Sequence, residues 1–182
     1  MIGWLRLCYR DGATPSFFMG SWMPSVFGPA TWVLICLAPL GMARPIQAEE
    51  LSPRIVLDLK ERQIRFVSEQ GNLGPWPVAI GDPSTPTPKG RFRILDKQID
   101  PIYLSTKNGD PQELSGPLSP IGDRYLAFFR NERGEFGIHG TPWPHWVKNR
   151  AAVSQGCVRM LNDHMRQLFD VVEVGTPLDI SD

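Results

Sequence analysis

HGTPWPHWVKNRAAVSQGCVRM, residues His139 to Met160, is the stretch from which the rest of this 182-residue chain is read. It opens on a histidine and reaches a cysteine, Cys157, eighteen positions later. A thiol attacks an acyl carbonyl only as thiolate, so it needs a base or a cation beside it. An imidazole from a separate segment meets that need, because a nucleophile and its base have to meet in space and not in sequence. Gly156 lets the chain turn tightly before Cys157 and keeps the approach to sulfur open. The backbone N–H groups of Gly156 and Cys157 are candidate donors to a tetrahedral oxyanion. Ser154 is read either as a donor to the histidine or substrate, or as a residue that closes the turn.

The cysteine count sharpens this reading. Cys8 and Cys36 lie in the N-terminal segment, which leaves Cys157 without an intrachain disulfide partner beyond it. Free cysteines are commonly buried and inert, but a lone thiol in a Gly/Ser turn favours reactivity. No CxxC pair is present, and one cysteine with three scattered histidines has poor zinc-ligand spacing. Neither a metal nor a cofactor is expected. The formal net charge is zero, and no basic run interleaves with aromatics. That argues against nucleic acid as a partner. Eighteen prolines and seventeen glycines point to a turn-rich, mostly β chain.

Outward from the motif, the chain divides in two. Residues 12–43 carry no charge, and Ala30 to Leu40 forms an apolar core followed by small residues. Residues 1–48 therefore read as a secretory signal or, as the rival, an N-terminal membrane anchor. Either implies export and, for the anchor, membrane contact. Residues 51–182 form the folded domain. Ile55, Leu57 and Leu59 alternate with Val56, Asp58 and Lys60, and Ile64 and Phe66 answer them across Glu61-Arg62-Gln63, which is a β-hairpin pattern. Further strands are expected over 76–80, 91–95, 125–130, 135–139 and 176–180. His139 thus sits at a strand end. Residues 96–122 read as an irregular lid or a solvated insertion. Asn162 is placed to cap a helix whose buried face is Met165, Leu168, Phe169 and Val172, with Gly175 as its stop.

Three further features extend the motif. Arg159 is read as a fork for a substrate carboxylate, as a cation that lowers the thiol pKa, or as half of a structural ion pair. Trp143 and Trp146 either line a groove or pack under their loop. His145 reads as loop packing and His164 as a solvated helix residue.

The sequence Ile138-His139-Gly140-Thr141, followed by Ser154-Gln155-Gly156-Cys157-Val158-Arg159-Met160, resembles the catalytic motif of the YkuD-type L,D-transpeptidases. These are cysteine enzymes that cross-link bacterial peptidoglycan. The fourteen residues from 140 to 153 fit the family's spacing between its histidine and Ser/Thr-x-Gly-Cys. Gln155 stands where the family often has a second histidine. The resemblance continues through Thr85-Pro86-Thr87-Pro88-Lys89-Gly90-Arg91-Phe92 and Gly122-Asp123-Arg124, and covers roughly Arg54 to Ile180. It implies a mainly β fold, a YkuD-like sandwich or mixed sheet with one or two short helices. It implies Cys157 as nucleophile and His139 as base. Gly140, Thr141, Trp143 and Arg159 are candidate substrate contacts. The implied partners are donor and acceptor stem peptides and inhibitors of the carbapenem type. An L,D-carboxypeptidase on the same site, or a non-catalytic peptidoglycan-binding module, are the alternatives.

Overall fold

Ile55 and Leu57 alternate with half-exposed neighbours along strand β1 (Arg54–Asp58), so one face of that strand is apolar and fully buried. β2 (Gln63–Val67) returns antiparallel and sets Phe66 against Ile55 and Ile64 against Leu57. A slip of β2 by one residue would turn Ile64 and Phe66 to solvent, and burying each is worth ~1.5–3 kcal/mol, so the register is strongly fixed. The computed structural model that shows this describes residues 52–105, 111–132 and 134–182. The N-terminal segment expected to be a signal or anchor lies outside them. Among the described residues no helix is long and apolar enough to cross a membrane.

The hairpin belongs to a five-stranded mixed sheet. Its other members are β3 (Leu73–Pro77), β5 (Gly90–Arg93) and β13 (Pro177–Ser181), in the order β3-β2-β1-β13-β5. β13 runs parallel to β1 and antiparallel to β5. A second sheet has the order β12-β10-β9-β6, formed by β6 (Asp96–Ile99), β9 (Arg124–Asn131), β10 (Gly134–His139) and β12 (Val158–Arg159). Helix α2 (Asn162–Val171) joins these sheets around one core. Ile55, Leu57, Ile64 and Leu178 of the first sheet share it with Leu126, Phe128, Ile138 and Val158 of the second and with Met165 and Leu168 of α2. The described residues are mostly β with two helices, as the sequence leads one to expect. The opposite face of the second sheet carries a smaller cluster, Ile121, Tyr125 and Ala127, with Tyr103 packed on it.

Several local expectations are corrected. Segment 76–80 is not one strand: β3 ends at Pro77 and a two-residue β4 (Ile80–Gly81) pairs with β11 (Ala152–Ser154). Segment 96–122 is not simply irregular. It contains β6 and an antiparallel pair, β7 (Tyr103–Ser105) with β8 (Gln112–Leu114). Short strands interrupted by Pro and Gly carry too little alternation to be recognised. The stretch around Trp143 is not a loop throughout, since Pro144–Lys148 forms helix α1 with proline at its first turn. Asn162 does not cap α2. Leu161 is the N-cap residue, and the Asn162 amide instead donates to the Pro117 carbonyl at 3.0 Å. His164 is not a freely solvated side chain, because its ring stacks on Trp76 at 6.1 Å.

Candidate active site

Strand registry brings the two ends of the motif together. β12 runs parallel to β10, with Val158 opposite Ile138 and Arg159 opposite His139. Ile138 and Val158 both point into the core and are fully buried. Residues in register share a face, so His139 and Arg159 must point the other way, onto the face that carries Tyr125 and Ala127. Cys157, two positions before Arg159, lies on that face at the level of Gly137. Its Sγ is 4.0 Å from the Glu135 carbonyl, to which the thiol points. The burial of Val158 thus fixes which way the thiol faces.

The turn that carries Cys157 is closed by Ser154. The Ser154 hydroxyl donates to the Cys157 carbonyl at 2.5 Å and accepts from the Gly156 N–H at 3.1 Å. Of the two candidate oxyanion donors, the Gly156 N–H is therefore already engaged by Ser154. The segment around Thr85-Pro86-Thr87 braces the same turn. Thr85 Oγ1 donates to the Ser154 carbonyl at 3.1 Å, the Asp82 N–H donates to it at 2.8 Å, and Thr87 Oγ1 accepts from the Gly81 N–H at 2.9 Å.

Gly156 has φ +110, and a Cβ there would lie 2.4 Å from Cε1 of Phe136. Phe136 is a buried ring of the core. Backbone strain costs ~1–3 kcal/mol and overpacking a similar amount. Gly156→Ala is therefore expected to cost ~2–6 kcal/mol in urea unfolding. Gly71 has φ +132 and no heavy atom within 4 Å of its Cβ position, so Gly71→Ala reads the strain alone. Equal losses in the two variants would show that the Phe136 contact is unimportant.

His139 is 3% exposed. Its Nδ1 lies 2.6 Å from the Gly140 carbonyl. A carbonyl can only accept, so Nδ1 carries the proton and Nε2 keeps its lone pair. The ring also stacks on Tyr125, with centroids 6.1 Å apart and planes 14° from parallel. Burial pushes the imidazole down to about 4, with Arg159 adding to the effect and the Gly140 carbonyl opposing it. Burial pushes the Cys157 thiol up, against the Gly137 amide and Arg159, which lower it. Both groups are thus held neutral at rest.

The other expected residues are placed as follows. Gly140 packs against Asn162, where a Cβ would fall 2.1 Å from Oδ1, and its N–H donates to the Arg124 carbonyl at 3.3 Å. Thr141 is buried and its Oγ1 accepts from the Trp143 N–H at 3.3 Å, so its hydroxyl serves the start of α1. Trp143 is 38% exposed and its ring lies 5.2 Å from that of Trp146. The Arg159 guanidinium lies 4.7 Å over the Trp146 ring. Among the described residues its Nε and Nη1 are buried without a hydrogen-bond partner.

Three residues of this face escape motif reading: Tyr125, Glu135 and Gly137. Gly137 has to lack a side chain, because a Cβ there would lie 2.3 Å from Cζ of Tyr125. Glu135 pairs with Arg130 at 2.5 Å. Burial first, then the neighbouring Cys157 and Glu135, hold the Tyr125 phenol protonated. Counting back by two from His139 reaches Gly137 and Glu135, so strand alternation was the available signal. Tyr125 is found only through its pairing with His139 across β9 and β10.

Comparison with known proteins agrees with this fold. Residues 52–180 match the model of the YkuD family, described as the L,D-transpeptidase catalytic domain. The Bacillus subtilis protein YqjB, an L,D-transpeptidase by name, is 32% identical over 146 residues, which cover 79% of this chain and 77% of that protein. L,D-transpeptidase 1 of Mycobacterium tuberculosis is 31% identical over 115 residues, which are 63% of this chain and 45% of that one. A solved L,D-transpeptidase in complex with imipenem superposes with a TM-score of 0.54 at 23% identity, covering 71% of this chain and 58% of the other, and this likeness is one of fold. The chain therefore spans only about half the length of some relatives that it matches. With the family model covering most of its length and its own folded domain end to end, this chain belongs to the YkuD family of L,D-transpeptidase catalytic domains.

Proposed function

We propose that this domain cross-links peptidoglycan by acyl transfer through a thioester on Cys157. The observation that carries the reading is the His139 imidazole, tied at Nδ1 to the Gly140 carbonyl and presenting Nε2 on the sheet face that bears the thiol. In the first half-reaction, Nε2 takes the thiol proton as sulfur attacks the carbonyl of the third stem residue. The tetrahedral oxyanion is assigned to the Cys157 N–H, since the Gly156 N–H is bound to Ser154. On collapse the C–N bond breaks, the imidazolium returns its proton to the departing amine, and terminal D-alanine leaves. In the second half-reaction the side-chain amine of another stem attacks the thioester. It passes a proton to Nε2, and the thiolate leaves and is reprotonated.

Because both groups are neutral at rest, proton transfer accompanies attack and no thiolate is stored beforehand. That arrangement limits reaction of the thiol with stray electrophiles. It also requires the substrate to displace water. Tyr103 on β7 packs on the cluster beside the site, and α1 brings Trp146 against Arg159. Together they support an enclosed site. Water at ~55 M competes for the thioester, so an amine wins only when it is held in place, where effective molarities reach ~10⁵–10⁸ M.

The test is mass spectrometry of products from a stem tetrapeptide with a side-chain amine at its third residue. Released D-alanine and a dimer joined between two third residues are expected. Release of D-alanine with tripeptide as the only other product, over a wide range of substrate concentration, would replace this reading with an L,D-carboxypeptidase.

A further inference from the structure

Asn162 opens α2, yet its side chain makes no cap bond to that helix. Its amide N–H donates instead to the Pro117 carbonyl at 3.0 Å, in the segment that leads into β9. Its Oδ1 lies against two glycine backbones. A Cβ on Gly140 would fall 2.1 Å from that oxygen, and one on Gly122 would fall 2.6 Å from it and 2.7 Å from Cα of Gly140. Three segments distant in sequence thus close on one amide group. Gly140 is the residue whose carbonyl lies 2.6 Å from Nδ1 of His139. Its own backbone is loosely held. The Gly140 N–H reaches the Arg124 carbonyl at 3.3 Å, and there is no side chain to fix its peptide plane. The tighter pairing stops one residue earlier, where the Met160 N–H donates to the His139 carbonyl at 2.9 Å. Among the described residues Oδ1 of Asn162 is buried and accepts no hydrogen bond. An unpaired buried acceptor is costly, so an apolar side chain would suit this gap better if filling it were the whole role.

We propose that Asn162 is a positioning residue: by closing on Gly140 it holds the carbonyl that fixes the His139 tautomer, and so keeps Nε2 free to take a proton. Its consequence for turnover rests on the acyl-transfer reading given above, while its effect on the imidazole rests on the geometry alone. The carbonyl selects the tautomer because Nδ1 must carry the proton to donate to it. If the Gly140 peptide turns, Nδ1 loses that acceptor. The proton then sits on Nε2 in part of the molecules, where the ring cannot serve as base, and the ring itself is no longer tethered. The bond to Pro117 keeps the Asn162 amide from swinging out of the gap. Asn162 reaches Gly140 from the same stretch of chain that carries Cys157. One segment, Cys157 to Asn162, therefore presents the nucleophile and sets the orientation of its base.

The experiment reads the tautomer directly, by nitrogen-15 NMR of the full chain at neutral pH, where burial keeps the imidazole uncharged. The His139 signals are identified by their loss in His139→Asn. Wild type is expected to show one protonated and one unprotonated ring nitrogen, with the proton on Nδ1. In Asn162→Ala the two nitrogen shifts should converge as the proton divides between them. In the same variant kcat for D-alanine release should fall about 10- to 100-fold with KM little changed, the effect of a misplaced reacting group. Asn162→Ser is also too short to reach Gly140 but suits a helix start, and serves if the alanine variant does not fold. A packing role alone would lower the urea midpoint and leave the tautomer unmoved. That outcome would overturn the positioning role, as would mixed tautomers in wild type, or an unchanged kcat in a variant whose tautomers are mixed. If wild type releases no D-alanine, the acyl-transfer reading fails, and the nitrogen shifts still decide what Asn162 does to the imidazole.

Discussion

Cys157→Ala is expected to fold as wild type does, to release no measurable D-alanine, and to gain no mass from imipenem. Among the described residues Cys157 is the only free cysteine. It is half-buried and contributes little to the core, which is closed beneath it by Val158. Removing its sulfur therefore leaves the packing intact and removes the nucleophile. Cys157→Ser should be almost as inactive. A hydroxyl is far harder to deprotonate than a thiol, and a buried imidazole held near 4 is a weak base for it. Carbapenems are strained acyl donors, so a reactive Cys157 thiol should open their ring and keep the adduct. Intact-protein mass spectrometry should show one adduct on wild type and none on Cys157→Ala. Turnover by a folded Cys157→Ala protein would remove the thioester from the mechanism. An adduct persisting on that variant would place the reactive group elsewhere.

His139→Asn is expected to slow acyl transfer by ~10²–10⁴-fold, the usual cost of losing a general base. It should also change how stability depends on pH. In the folded chain burial holds the His139 imidazole at about 4, while in the unfolded chain it titrates near 6.5. Above pH 6.5 both states are neutral there and the folded state keeps its full stability. Between 6.5 and 4 the unfolded state takes up a proton that the folded state refuses, so stability falls with pH. The difference corresponds to about 3 kcal/mol. Wild type should lose that amount, beyond what His139→Asn loses, when urea unfolding is followed from pH 7 to pH 4. Parallel curves for the two proteins would mean that the imidazole is not buried in neutral form. The same shift predicts that activity has no acid limb near pH 6.5, because the base remains unprotonated well below it.

Much of this domain is legible in the sequence because period-two alternation is a direct consequence of one buried face. Ile55, Leu57, Ile64 and Phe66 announced the first hairpin, and Met165, Leu168, Phe169 and Val172 announced α2, each through apolar spacing that only one geometry buries. The expectation that His139 and Cys157 act together came from their spacing, which resembles that of a known family's motif. Only the tertiary structure decided what surrounds them. That Val158 pairs with Ile138, and so turns the thiol outward, depends on a two-residue strand too short to show a pattern. That Tyr125 lies against His139 and that the Arg159 guanidinium lies over Trp146 follow from contacts between segments apart in sequence. Local propensity determined the strands. The desolvation that pushes the imidazole down and the thiol up arises only when those strands are stacked, because it is a property of the assembled low-dielectric interior and not of any residue in the chain.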